Sequence, residues 1–200
     1  MVGYNMNHSM DYIFPTPIHY YDVQEFGDIK NELIDYAYDL KKRKPISLNY
    51  SNQGGWHSPL FSLNPKEGPL HTIIIDCIKD LPTLKKSIKL LCSAWININK
   101  PGDYNTKHVH PNCNLSGVFW IKTPENCGNI EFDNPTYFQD YELINVCTDE
   151  FRDSCNRHHS FCYKPIEGRI LIFPSHLQHH VNKNKSNEDR ISVSFNIKLC

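Results

Sequence analysis

The sequence predicts a mainly β protein with helices gathered at its N-terminal end. Apolar residues recur every three to four positions in two stretches of the first 92 residues. From Ser93 onward the period changes to strand-like alternation, in short segments separated by Pro, Gly and Asn. Helices followed by a run of strands suggest an antiparallel sheet closed into a barrel or sandwich, with the helices packed on one face. A chain of 200 residues can bury about 70% of the surface its unfolded form exposes, so 1–200 is read as a single domain. Its parts are a helical N-terminal support over 1–92 and a β core over 93–200.

Residues 24–43 place Ile29, Leu33, Ile34, Tyr36, Ala37 and Leu40 on one helical face, ended by Pro45. A second helical stretch, 68–92, carries Leu70, Ile73, Ile74, Cys77, Ile78 and Leu81. It is interrupted at Pro82 and resumes through Leu84, Ile88, Leu91 and Cys92. Strands are expected at 95–99, 115–121, 129–132, 169–173 and 190–197. Residues 136–164, rich in Tyr, Cys and His, read as a long irregular insert loop, and loops of that length are usually functional or disordered.

The 21 Lys and Arg against 22 Asp and Glu leave a net charge of -1, which argues against a generic nucleic-acid surface. No basic stretch followed by an apolar run opens the chain, and no apolar run approaches the ~20 residues of a spanning helix. The eight cysteines therefore read as reduced thiols of a cytoplasmic protein, with Cys77 and Cys92 as helical packing residues. Eleven histidines are many for this size, and histidine and cysteine are metal ligands.

The strongest local signal is Lys107-His108-Val109-His110-Pro111, because residues i and i+2 of an extended segment point the same way and two imidazoles could grip one ion. About 70 residues later come Phe173-Pro174-Ser175-His176-Leu177-Gln178-His179-His180-Val181 and Arg190-Ile191-Ser192. This arrangement resembles the Fe(II)/2-oxoglutarate-dependent oxygenases, which carry an early His-x-Asp/Glu, a late His and an Arg-x-Ser. It resembles most a family of uncharacterised oxygenases of that class. That family's motifs match Phe14 to Pro17, Gly55-Trp56-His57-Ser58, Pro101 to Asn105, His108 to Pro111, Ser116 to Val118 and Phe173 to Ser175.

The resemblance implies a double-stranded β-helix core of jelly-roll or cupin-like form, Fe(II) as metal, and 2-oxoglutarate and O2 as cosubstrates beside an unidentified prime substrate. It implies His108, His110 and His179 as metal ligands, with His110 where the class usually has a carboxylate. His176 and His180 compete with His179, although alternation turns His180 to the opposite face. Glu131 or Asp133 on the nearby strand could supply the carboxylate instead, or water could complete a two-histidine site. Arg190 falls where the class binds the far carboxylate of 2-oxoglutarate, and Ser192 shares its face. The run Asn97-x-Asn99-x-Pro101-Gly102 resembles that of the nucleic-acid alkylation-repair oxygenases, which maps Asn97, and with it Tyr104, to cosubstrate contacts.

Other readings compete. His108 and His179 could be strand-end histidines satisfied by backbone bonds, and Arg190 could form a surface ion pair with Glu188 or Asp189. Trp95, Trp120 and Phe195 read as core, whereas Trp56, beside two glycines, is a candidate for the substrate mouth. Cys147, Cys155 and Cys162 with His158 and His159 could hold zinc. At the level of function the leading expectation is a hydroxylase acting on a prolyl or other protein side chain or on a small metabolite. Against it stand a cupin-like isomerase or dioxygenase without 2-oxoglutarate, and an inactive binding module of the same fold.

Overall fold

The computed structural model describes residues 9–200, with the side chains of residues 138 and 140 outside the description; the first eight residues of the expected 1–200 domain lie outside it too. Twelve described strands form two antiparallel sheets. In chain order they are β1 (His19–Asp22), β2 (Asn52–Gln53), β3 (Trp56–His57), β4 (Phe61–Ser62), β5 (Leu90–Asn99) and β6 (Tyr104–His108), then β7 (Leu115–Lys122), β8 (Ile130–Asp133), β9 (Ser160–Tyr163), β10 (Arg169–Pro174), β11 (His179–Val181) and β12 (Arg190–Leu199). The larger sheet runs β1-β10-β7-β12-β5-β3, with β4 also on β5, and the smaller runs β2-β6-β11-β8-β9. This is the expected double-stranded β-helix.

Helices α1 (Phe26–Arg43) and α2 (Pro69–Asp80) cover the outer face of the larger sheet. Leu33 and Ala37 of α1 and Leu70, Ile74 and Ile78 of α2 meet Ile96, Ile98, Phe119, Ile191, Val193 and Phe195. Each such side chain, fully buried, contributes about 1.5–3 kcal/mol. A second core lies between the sheets, around Val118, Trp120, Ile130, Phe132, Leu171 and Phe173. At Gly117 a Cβ would stand 2.2 Å from the Phe195 ring and 2.7 Å from the Leu171 carbonyl, so only glycine lets β7 lie this close to its neighbours.

Three expectations need correction. The second helix ends at Asp80, and residues 84–92 do not resume it: β5 begins at Leu90, and Cys92 lies opposite Ile197 of β12. Apolar residues at 84, 88, 91 and 92 fit a helical period, but ten ladder pairs with β12 outweigh that local preference. Residues 136–164 are not irregular but hold α3 (Tyr137–Val146), α4 (Asp149–Cys155) and β9. The Thr148 hydroxyl caps α4 by accepting the Phe151 N–H, a short-range signal that the Tyr and His composition masks. The first 92 residues are also not only helical, since β1 to β4 extend both sheets. No described helix is long and apolar enough to cross a membrane.

Candidate metal centre and cosubstrate cavity

Strand alternation builds the site. Ile191, Val193, Phe195 and Ile197 of β12 point to the helices, so Arg190, Ser192, Ser194 and Asn196 point between the sheets. On β5 the same rule gives Trp95 and Asn97, and on β7 Val118 and Trp120. These residues line a cavity of about 540 Å³ whose far wall is His108 and His110 with His179 and Val181.

The structure brings the three histidines together. His108, the last residue of β6, lies directly opposite His179, the first of β11, and their ring centroids are 4.3 Å apart. His110 stacks on His179 at 5.2 Å, with Nε2 to Nε2 3.3 Å. One nitrogen from each ring lies within 4.8 Å of the others. Nδ1–H of His108 donates to the Thr106 carbonyl and that of His179 to the Leu177 carbonyl, which leaves Nε2 of both rings as the lone-pair nitrogens. Burial, and then each ring's neighbours, push His110 down to about 4 and His179 to about 3, and burial also lowers His108. The rings are therefore neutral at pH 7 and present lone pairs rather than protons. These two histidines do satisfy their Nδ1 atoms on backbone carbonyls, as the competing reading holds, but their Nε2 atoms converge as well.

His110 lies past the end of β6 and is held by a network instead of a ladder. Its N–H donates to the Ser175 carbonyl at 3.0 Å, and the Cys113 thiol donates to its own carbonyl at 3.2 Å. Cys113 Sγ lies 3.1 Å from Ser175 Oγ, which is 2.8 Å from Ser116 Oγ, and Ser116 donates to Asn196.

The carboxylate alternatives face elsewhere. Phe132 stands opposite His179 in the ladder, so Glu131 and Asp133 lie on the other face. There Glu131 accepts from Ser160 and Asn182, with His180 Nε2 3.6 Å away, and Asp133 pairs with Lys107 at 2.7 Å. His176 is exposed. Among the described residues no second group of three ligating side chains converges: Cys162 is exposed, the Cys155 thiol donates to Phe151, and His158 pairs with Asp153.

Arg190 is 3% exposed and does not join the acidic residues before it. Glu188 pairs with Lys122, and Asp189 accepts from Tyr38. Nη1 of Arg190 donates to the carbonyls of Cys127 and Gly128, and burial pulls its pKa down to about 10. Arg190 is thus a buried guanidinium on the cavity wall with no acidic partner within ion-pair distance among the described residues, a geometry that can accept a carboxylate. Ser192 and Asn97 face each other across β12 and β5 on the same wall, and Asn97 donates to Ser194 at 3.0 Å. Tyr104 is not brought to the cavity: its ring is exposed, with the Lys183 ammonium 5.7 Å from its centroid.

Sequence reasoning missed His57 and raised its neighbour Trp56 as a candidate for the substrate mouth instead. Trp56 packs in the core under the helices, its indole donating to the Lys44 carbonyl, whereas His57 lines the cavity. Trp95 and Trp120 line it too. The signal was available in the two-residue alternation of Trp56-His57, once β3 is known to pair with β5.

A family model described as "Putative 2OG-Fe(II) oxygenase" matches residues 93–196, more than half of the chain. The chain belongs to the 2OG-Fe(II) oxygenases. It is thus an Fe(II)- and 2-oxoglutarate-dependent oxygenase. No curated protein matches its sequence. Its fold is similar to a prolyl-4-hydroxylase from Pseudomonas putida, at 9% identity, over 92% of both chains and with a TM-score of 0.62. It is similar also to a prolyl hydroxylase from Trichoplax adhaerens in complex with a hypoxia inducible factor peptide fragment, at 12% identity, over 90% of this chain and 83% of that one, with a TM-score of 0.59. HygX from Streptomyces hygroscopicus with iron bound matches at 10% identity, over 92% and 82%, with a TM-score of 0.54. At these identities the likeness is one of fold.

Proposed function

We infer that this oxygenase is a hydroxylase whose iron is held by His108, His110 and His179 and whose 2-oxoglutarate is anchored by Arg190, with Ser192 and Asn97 beside it. The observation that carries the reading is the pairing of two features in one cavity: three neutral imidazoles with converging Nε2 atoms, and a buried guanidinium lacking an acidic partner. Three imidazoles suit Fe(II), and a facial set of three leaves positions for other ligands. With no carboxylate in the set, the centre is one charge more positive than a 2-His-1-carboxylate site, which favours a dianionic cosubstrate.

Fe(II) with 2-oxoglutarate and O2 supplies an oxidant that inserts one oxygen atom into a substrate C–H bond while 2-oxoglutarate leaves as succinate and CO2. The chain's own residues bind, orient and exclude water. Arg190 would take a carboxylate of the cosubstrate through paired N–H donors and so orient it in the cavity. The Thr106 and Leu177 carbonyls hold two imidazoles in one tautomer, and Trp95, Trp120 and Phe173 give the cavity a low-dielectric wall. Eight unpaired cysteines support a reducing, cytoplasmic setting. A prolyl or other protein side chain and a small metabolite both fit the cavity's size.

Anaerobic Fe(II) titration with 2-oxoglutarate, followed by a succinate assay in air, tests this. One equivalent of iron, a visible band that needs 2-oxoglutarate, and succinate formation are expected. Iron uptake without the band would remove Arg190 as the cosubstrate anchor; no iron uptake would remove the three histidines as the ligand set. In His110→Ala, iron affinity is expected to fall by more than ~100-fold, beyond the usual cost of losing a supporting residue. Unchanged affinity removes His110 from the ligand set.

A further inference from the structure

The cavity holds one more built feature. His57, 5% exposed, is clamped between two rings: it stacks on Trp95 at 5.4 Å and 11°, and Tyr50 lies on it at 5.1 Å. Its Nδ1–H donates to the Ser58 carbonyl at 2.7 Å, and burial lowers its pKa, so at pH 7 the ring is neutral with its lone pair on Nε2. Nε2 has no partner among the described residues, yet it is not among the fully buried unsatisfied atoms and so opens to the cavity. Trp95 lies 5.7 Å from His110, which sets His57 two ring contacts from the metal centre. A fixed acceptor that opens to the cavity can receive a hydrogen bond from a donor on a ligand.

The rest of the wall narrows the ligand. Among the described residues Lys107 and Arg190 are the only charged side chains lining the cavity; Lys107 is paired with Asp133 and Arg190 belongs to the cosubstrate end. No carboxylate of the described residues lines it, so a cation would find no counter-charge there beside a metal of its own sign. Around the mouth stand Tyr50, Leu60 and Val109, all exposed and apolar.

We propose that His57 Nε2, held in place by the Tyr50 and Trp95 rings, is the specificity subsite for the prime substrate, which is uncharged where it enters and joins an O–H or N–H donor for His57 to an apolar ring or chain that meets Tyr50, Leu60 and Val109. This rests on the hydroxylase reading. It assigns His57 to substrate recognition, apart from the residues that hold metal and cosubstrate.

Phenol, toluene and benzylammonium serve as probes with the same phenyl ring that differ in donor and charge. Their binding is measured by calorimetry on protein loaded with Zn(II) and 2-oxoglutarate, with ¹⁵N spectra of histidine-labelled protein alongside. Phenol is expected to bind about threefold to tenfold more tightly than toluene, the gain of one net hydrogen bond, and to move the His57 Nε2 resonance. Benzylammonium is expected to bind least. His57→Phe keeps a ring between Tyr50 and Trp95 and should erase the phenol preference, while His57→Gln, which keeps an acceptor, should restore part of it. Equal binding of phenol and toluene, a preference that survives His57→Phe, tight binding of benzylammonium, or no binding of phenol would each overturn the proposal. The Zn(II) titration reports separately: failure to take up the ion sinks the metal reading, while the probe comparison still judges His57.

Discussion

Arg190 carries a full positive charge into a wall where burial lowers its pKa to about 10, and only two backbone carbonyls meet it there. Such a group binds an anion strongly because the desolvation cost is met on folding. Arg190→Ala is expected to weaken 2-oxoglutarate binding by about tenfold to a hundredfold, the worth of a charge-assisted hydrogen bond, while leaving metal affinity nearly unchanged. Calorimetry with each ligand in turn checks this; equal losses would mean that the cosubstrate sits elsewhere. At this scale the sequence was informative where two residues share a strand face. Arg190 with Ser192, and His179 against His180, follow from alternation alone. Tyr104 was misleading, because its place in a motif says nothing of which way a strand-opening ring turns.

Elements decide what alternation cannot. His108 and His179 are held by a ladder between β6 and β11, but His110 depends on hydrogen bonds from the end of β10 and from the turn before β7. Cys113→Ala removes the thiol that holds the His110 carbonyl and should therefore loosen one imidazole without unfolding the sheet. Metal affinity is expected to fall by about 10- to 100-fold, as for other residues that orient a ligand, whereas Cys113→Ser keeps a donor and most of the affinity. The d–d spectrum of the Co(II) form checks whether three imidazoles still coordinate. Packing between elements sets a second limit: Gly117→Ala would drive a methyl group into Phe195 and the Leu171 carbonyl. A loss of about 1–3 kcal/mol in denaturant unfolding is expected, the usual cost of overpacking a core.

Across the whole molecule, five buried or half-buried histidines share one direction. His57, His71, His108, His110 and His179 are all lowered by burial, and His71 also accepts the Asn64 N–H on Nδ1. In the unfolded chain each titrates near ~6.5. Below that pH the unfolded state takes up protons that the folded state refuses, so the stability of metal-free protein is full above about pH 6.5 and falls as pH drops toward the folded values, about 4 for His110. Urea melts from pH 8 to pH 4 check this, and a flat profile would contradict it. Bound metal should extend the plateau to lower pH, since ions and protons compete for the same nitrogens.

By itself the sequence determined the two N-terminal helices, five of the core strands, the faces of those strands, and through its motif spacing the class of oxygenase, because periodicity and turn chemistry are local. It could not decide that residues 84–92 leave the helix, that Trp56 packs inward while His57 faces the cavity, or that Glu131 and Asp133 turn away from the histidines. Those outcomes depend on which strand pairs with which. Pairing is a contest among segments far apart in the chain, settled by burial of whole sheet faces rather than by any one residue's preference.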